Sequence, residues 1–227
     1  MVKVQQKAKQ AAGELAASMV QEGTTVGLGT GSTAACFIDS LARRVAEGLQ
    51  VLCVATSERS QRQAEEGGIP MTDIEALERI DAVFDGADEI DPQKRLIKGG
   101  GGALLREKIV ASMSGKMVVL VDESKCVEAL GAFPLPVEIV PFAHKATIRK
   151  IEELGCSGSL RQNAGTPYRT DGGHYIYDIR CDSHWGRPDE IHSRLLHIPG
   201  VVETGFFIGY AGRVLIGKND GTVEELP

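Results

Sequence analysis

Four short, mostly apolar runs, at 24–29, 49–55, 81–84 and 116–121, punctuate the first half of the chain, with segments of helical spacing between them. A strand with one face in water alternates apolar and polar residues, so runs that stay apolar predict strands buried on both faces. Strands of this kind alternating with helices predict an α/β fold, a Rossmann-like parallel sheet with helices on both faces. Before the first run, Val4, Ala8, Ala11, Ala12, Leu15, Ala16, Met19 and Val20 mark one apolar helix face over 4–22, closed by Gly23. After it, Ala34, Phe37, Ile38, Leu41 and Val45 return to the helical period. Further helices are predicted over 57–66 and 103–114, with short pieces at 69–72 and 76–79.

The alternation stops near residue 131, where Gly131-Ala132-Phe133-Pro134-Leu135-Pro136 interrupts it. A strand over 137–140, a helix over 144–154, strand fragments through 155–178, a helix over 188–196 and a strand over 201–207 follow. Asp171-Gly172-Gly173 is a hairpin signal among them. This β-α-β-β-α-β order predicts a smaller α+β domain of ferredoxin-like type over 131–206. The tail at 213–217 is expected to rejoin the first sheet as an edge strand, so that the larger domain comprises 1–130 and 207–227.

The 227 residues carry 25 Lys and Arg against 31 Asp and Glu, a net charge of −6. An acidic chain has no global attraction to nucleic acid or to anionic lipid, so neither is an expected partner, and an anionic ligand must be met by a local site. No segment approaches the ~20 apolar residues of a membrane span, and the N-terminal residues lack the apolar stretch of a signal peptide. The five cysteines (36, 53, 126, 156, 181) include no CxxC pair and read as reduced thiols with packing roles, which points to the cytoplasm.

Gly29-Thr30-Gly31-Ser32-Thr33 lies between a strand and a helix, at the sheet edge where open α/β folds bind ligands. Freed backbone N–H groups, a helix N-terminus and three hydroxyls suit a phosphate; an ordinary tight turn with a Ser or Thr cap is the alternative. No Lys follows the glycines as a P-loop requires, and Ser32 replaces the third glycine of a dinucleotide fingerprint. The second strand ends Ala55-Thr56-Ser57, without the acidic residue that binds a ribose. A single phosphomonoester is therefore preferred over a nucleoside triphosphate or NAD.

Asp85-Gly86-Ala87-Asp88-Glu89-Ile90-Asp91 follows the third strand. Carboxylates this close repel unless a cation, a lysine or a sugar hydroxyl partners them, so Mg²⁺ and a polyol are both open, beside a plainly solvated turn. Lys98 precedes Gly99, Gly100, Gly101 and Gly102, a run whose entropic cost is best explained by close approach of backbone to a ligand. Glu107 and Lys108 fall in the first turns of the next helix, where Glu107 either complements the helix dipole or serves as a base. Lys125 closes Asp122-Glu123-Ser124-Lys125 at the same sheet edge. Together these residues supply what proton transfer on a sugar phosphate needs: a base, cations and donors for an enediolate oxygen, and a phosphate anchor.

The strings GLGTGSTA (27–34), DGADEI (85–90), KGGG (98–101), LREKI (105–109), DESK (122–125), FPLPVE (133–138) and IPGVV (198–202) together resemble the type A ribose-5-phosphate isomerase family, in its order and over nearly the whole chain. The resemblance implies reversible interconversion of D-ribose 5-phosphate and D-ribulose 5-phosphate in the pentose phosphate pathway, without metal or organic cofactor, by a homodimer or tetramer. It implies substrate binding by Thr30, Gly31, Ser32 and Thr33, by Asp85, Gly86, Ala87 and Asp88, by Lys98, Gly99, Gly100 and Gly101, and by Lys125, with Lys9 a looser match near the phosphate. It implies Glu107 as proton acceptor through a cis-enediolate, Lys98 as stabiliser of its oxygen, and Asp85 or Asp88 in ring opening. Gly102 departs from the pattern, standing where Ala is common. The five histidines (144, 174, 184, 192, 197) lie outside the site and read as surface or packing residues, and Trp185 is a candidate for a subunit interface. The alternatives are a sugar-phosphate-binding regulatory module, for which one helix before the first strand leaves no room for a helix-turn-helix, and an amino-sugar phosphate deaminase or CoA transferase of related fold. The deaminase would want a histidine near the sugar, and the transferase a nucleophilic Glu in its own glycine context.

Overall fold

The computed structural model describes residues 2–115, 117–181 and 185–226. The chain forms two compact units, one of residues 1–87, 106–126 and 210–227, the other of residues 88–105 and 127–209.

The first unit is built on a six-stranded sheet. With strands numbered along the whole chain, its members are β1 (Thr25–Leu28), β2 (Leu52–Ala55), β3 (Ala82–Gly86), β6 (Met117–Asp122), β14 (Ala211–Gly217) and β15 (Val223–Leu226). Their order is β15-β14-β6-β3-β1-β2, parallel throughout except for the antiparallel β14–β15 pair. Helices α1 (Val2–Ser18) and α2 (Ser32–Ala46) pack together on one face, and α3 (Glu58–Glu66) packs against α2. There Val26 and Leu28 meet Ala16, Phe37, Ile38 and Phe84 in the core, with the rings of Phe37 and Phe84 stacked at 4.6 Å. Side chains alternate along a strand, so Gly27 faces the other way, where Val110 of α4 (Leu104–Ser112) approaches too closely for any side chain at 27. The expected doubly covered sheet is thus present.

Three details differ from the sequence expectation. The first helix ends at Ser18, not at 22, because the Arg44 guanidinium takes the carbonyls of Ala17 and Val20 and the chain tightens into i to i−3 bonds from Met19 and Val20. The tail strand is interior: β14 lies between β6 and β15, and the edge belongs to β15, whose Val-Glu-Glu-Leu sequence carries no apolar run. Lys116, the expected start of the fourth strand, lies outside the described residues.

In the second unit, β7 (Leu135–Ile139), α5 (His144–Glu152), β8 (Ser157–Leu160), β11 (Tyr175–Arg180), α6 (Pro188–Leu196) and β12 (Val201–Thr204) form an antiparallel sheet of order β12-β7-β11-β8, the expected ferredoxin-like arrangement. The short pair β9 (Gln162–Asn163) and β10 (Thr166–Pro167) turns through Ala164 and Gly165, both at positive φ, so this hairpin precedes the Asp-Gly-Gly signal. Residues 88–105, expected with the larger domain, pack with this unit instead. Their strands β4 (Glu89–Ile90) and β5 (Leu96–Ile97) make a small sheet with β13 (Phe206–Phe207), and Ile97 is buried among Leu135, Val137 and Phe206. Trp185 is buried in the same core, edge-to-face on Phe206 at 5.6 Å, which gives it a packing role within its own unit. No helix among the described residues is long and apolar enough to cross a membrane.

Candidate active site

The strand order of the first sheet reverses at β1, which has β2 on one side and β3 on the other, and such a reversal opens a crevice at the carboxyl ends. Register places Leu28 beside Phe84, and the Gly29 N–H donates to the Phe84 carbonyl at 2.9 Å, so Thr30, just past the end of β1, comes beside Asp85 of β3. The Asp85 carboxylate is fully buried, and its Oδ1 accepts the N–H of Thr30 at 3.0 Å and of Gly86 at 2.7 Å. Position 29 must be glycine here, because a Cβ would lie 2.5 Å from the Asp85 Cα.

The Thr30 hydroxyl turns inward. Its Oγ1 lies 2.7 Å from the Thr56 hydroxyl and donates to Ser57 Oγ at 2.8 Å; Ser57 donates to Ser60 at 3.0 Å, and Ser60 to the Gly29 carbonyl at 2.8 Å. This closed chain of buried hydroxyls pins the loop at both sides. The outward side consists of Gly31, at φ 121°, and Ser32, which is exposed. Helix α2 starts there with no side-chain cap, so its first N–H groups and positive dipole end suit an anion. Thr33 is buried in the first turn.

Lys9 projects from α1 with its Nζ 3.9 Å from Asp122 Oδ2; one turn into α2, burial pushes the Cys36 thiol up, opposed by the Gln6 hydrogen bond and more weakly by the charge of Lys9. Asp122 ends β6, caps the single turn Glu123–Lys125 through the Ser124 N–H at 3.1 Å and accepts Gln5 Nε2 at 3.3 Å. Lys9 and the turn that carries Lys125 are therefore tied to one buried carboxylate. Glu107 stands in the first turn of α4 and is buried, as is Lys108.

The second unit holds the rest of the expected set. The Gly100 N–H donates to Asp88 Oδ2 at 2.7 Å, and a Cβ on Gly100 would lie 2.5 Å from Asp88 Oδ1. Lys98 is 2% exposed, its Nζ 5.4 Å from the centre of the Phe207 ring. Arg161 Nη1 donates to the carbonyls of Gly99 at 2.8 Å and Gly100 at 3.2 Å, and Tyr168 Oη to that of Gly101 at 3.4 Å.

The acidic run is not one cluster. Glu89 accepts the N–H groups of Gly131 and Phe133, and Asp91 accepts those of Gln93 and Arg95 together with Arg95 Nε. These two carboxylates are structural, which leaves Asp85 and Asp88 as the candidates for chemistry. Among the described residues no three His, Cys, Asp or Glu side chains are grouped to hold a metal ion. All five cysteines are free; burial pushes the Cys53 thiol up to about 12, whereas Cys126 is the exposed one among them. His174 bonds Glu138, His192 bonds Thr204, and His144 and His197 bond backbone carbonyls, while His184 lies outside the described residues.

Sequence reasoning missed Thr56, Ser57, Ser60, Arg161 and Tyr168. Thr56 and Ser57 carried a signal, three hydroxyls within five residues at the end of a strand beside the glycine turn. Arg161 and Tyr168 carried none, since their bonds are to backbone far along the chain.

A mostly parallel α/β sheet with an anion-ready loop and a buried carboxylate at its reversal defines a class of enzymes acting on small phosphorylated substrates. The model of the family described as Ribose 5-phosphate isomerase A (phosphoriboisomerase A) matches residues 52–221. Ribose-5-phosphate isomerase A of Protochlamydia amoebophila is 49% identical over 95% of this chain and 93% of its own. The solved ribose 5-phosphate isomerase of Plasmodium falciparum superposes with a TM-score of 0.93 at 35% identity, over 97% of this chain and 98% of that one. The enzyme of Methanocaldococcus jannaschii does so with 0.90 at 38%, over 96% and 97%. The chain belongs to the ribose 5-phosphate isomerase A family and is an isomerase of sugar-phosphate metabolism.

Proposed function

We propose that the chain interconverts D-ribose 5-phosphate and D-ribulose 5-phosphate by proton transfer through a cis-enediolate, with Glu107 as base and no metal or organic cofactor. The phosphate binds the N–H groups of Gly31, Ser32 and Thr33, assisted by Lys9, while Thr30 holds the loop. An Asp of the 85/88 pair acts on the anomeric hydroxyl and ring oxygen to open the furanose. Glu107 removes the C2 proton of the open aldose, and the electron pair of the broken C–H bond moves through the new C1–C2 double bond onto O1. Lys98 and backbone N–H groups of Gly99, Gly100 and Gly101 balance that negative charge. Glu107 returns the proton to C1, the O2 hydroxyl proton passes to O1, and a ketone is left at C2. Lys125 is a further substrate contact.

The observation that carries this is the buried Asp85 carboxylate bonded to the Thr30 N–H at the reversal of the sheet, which joins a phosphate loop to an acid-base group at one crevice. The test is ribulose 5-phosphate formation by EDTA-treated protein, wild type beside Glu107→Gln. A loss of about 10²-fold or more in the variant supports the base assignment, since a positioned base contributes about 10²- to 10⁴-fold. A variant as fast as wild type refutes it, and deamination of glucosamine 6-phosphate, or binding without turnover, would favour the rival classes. The family resemblance also supports a cytoplasmic homodimer, whose mass sedimentation velocity reads directly.

A further inference from the structure

We propose that Arg161, with Tyr168 beside it, is a positioning residue for the isomerisation: it clasps the carbonyls of the glycine run so that the opposite N–H groups face the reacting sugar. This rests on the function proposed above and adds residues to it. The chain contains no cis peptide bond among its described residues, and in a trans peptide the C=O and the N–H point to opposite sides. With the Gly99 and Gly100 carbonyls both on the Arg161 guanidinium, the N–H groups of Gly100 and Gly101 are turned the other way. The Gly100 N–H meets the Asp88 carboxylate at 2.7 Å, so the Gly101 N–H opens on the same side as that carboxylate. A run of glycines has no side chains to fix these peptide planes and loses the most freedom on being fixed, so an external clasp is what pre-orients the donors.

Arg161 is itself built in. Its Nε and Nη2 fork onto Asp178 at 2.9 and 2.6 Å, its backbone N–H donates to Ile176 at 2.8 Å, and Cζ lies 5.8 Å from the centre of the Tyr168 ring. The carboxylate of Asp178 balances the guanidinium charge, which suits a clamp on carbonyls and not an anion contact. Gly102, the position that departs from the family pattern, belongs to the same device: at φ 81°, a Cβ there would lie 2.2 Å from Tyr168 Oη, so glycine admits the ring that reaches Gly101.

The test compares Arg161→Met, Arg161→Lys, Tyr168→Phe and Gly102→Ala in steady-state kinetics on ribose 5-phosphate, with inhibition by inorganic phosphate and near-UV circular dichroism beside them. Misplacement of a catalytic group by about 1 Å costs about 10²-fold, so Arg161→Met is expected to lower kcat by about 10- to 100-fold. KM and the phosphate inhibition constant should stay near wild type, because the phosphate loop is elsewhere. Lys cannot make the fork and should not rescue. Tyr168→Phe and Gly102→Ala should show the same split with a smaller fall, and they decide the matter if Arg161→Met does not fold. Unchanged kcat in a folded Arg161 variant, or a raised KM with kcat intact, overturns the proposal. Glu107→Gln separates the two levels: if it keeps full activity the site assignment itself fails, whereas an inactive Glu107→Gln beside a fully active Arg161→Met removes the clasp alone.

Discussion

Replacing Thr30 by Val tests whether the phosphate loop is held by its buried hydroxyls. Valine keeps the shape of threonine, so no cavity opens; what disappears is Oγ1 with its longer contact to Ser60 at 3.3 Å and its short ones to Thr56 at 2.7 Å and Ser57 at 2.8 Å. Neither partner is orphaned, because Thr56 keeps the Leu28 carbonyl at 3.2 Å and Ser57 keeps Ser60 at 3.0 Å. The two short hydrogen bonds at about 1 kcal/mol each amount to about 2 kcal/mol, without a desolvation penalty on top, and the long contact to Ser60 adds little. In a chain of this size 1 kcal/mol moves Tm by about 2–4 °C, so the fall should be about 4–8 °C. Because the same loop presents the first N–H groups of α2, inhibition by inorganic phosphate and KM should weaken together, by tenfold for each ~1.4 kcal/mol of anchoring lost. Thermal melts and phosphate inhibition read both effects, and Thr30→Ser, which keeps the hydroxyl, should restore most of each. A Thr30→Val protein with unchanged Tm and phosphate affinity, or a Thr30→Ser protein as impaired as the valine variant, would refute the reasoning.

Gly100→Ala should leave Tm nearly unchanged and lower kcat by up to about 10²-fold, because the new Cβ displaces only the movable carboxylate of Asp88; a variant with wild-type turnover would show that Asp88 has no part in the chemistry. Glu89→Ala strips the Gly131 and Phe133 N–H groups of their acceptor and should cost about 2–5 kcal/mol in a denaturant melt, with kcat per folded molecule retained. Glu138 is buried, and burial raises its pKa above the ordinary 4.5 against the opposing bonds from Thr170 and His174. The folded state therefore holds a proton that the unfolded state releases, a stabilisation present below about pH 4.5 and lost as pH rises through the folded value. The Tm difference between wild type and Glu138→Gln should accordingly favour wild type more at pH 4.5 than at pH 7, and a difference independent of pH would count against it.

The parts of the fold legible in the sequence were those written as local periodicity. Val26, Gly27 and Leu28 read as a doubly buried strand because both faces of the sheet are covered, and Phe37, Ile38 and Leu41 read as a helix face because they line one core. Ser18 did not read as a helix end, since the Arg44 side chain that completes the end comes from another helix. Residues 88–105 were misplaced for the same reason: Leu96 and Ile97 are a two-residue strand whose partners, Phe206 and Phe207, lie more than a hundred positions later. The phosphate loop was legible because its glycines and hydroxyls are contiguous. Arg161 was invisible because it recognises backbone, and backbone leaves no mark on the identity of the residues it serves.

The acidic stretch 85–91 shows what contiguity conceals. Four carboxylates within seven residues would repel as a group, and a cation or a sugar would be needed to gather them. Instead, each carboxylate has its own backbone donors: Thr30 and Gly86 for Asp85, Gly100 for Asp88, Gly131 and Phe133 for Glu89, Gln93 and Arg95 for Asp91. Backbone N–H groups stabilise a carboxylate's charge without adding a competing side chain, so the four charges are held apart on separate sets of donors. The same bonds divide the labour. Glu89 and Asp91 fasten segments of their own unit, and Asp85 and Asp88 fasten the two glycine loops that the proposed chemistry uses. Removing Asp85 should therefore disturb the phosphate loop as well as ring opening, and its effect on KM should exceed that of any change at Glu107.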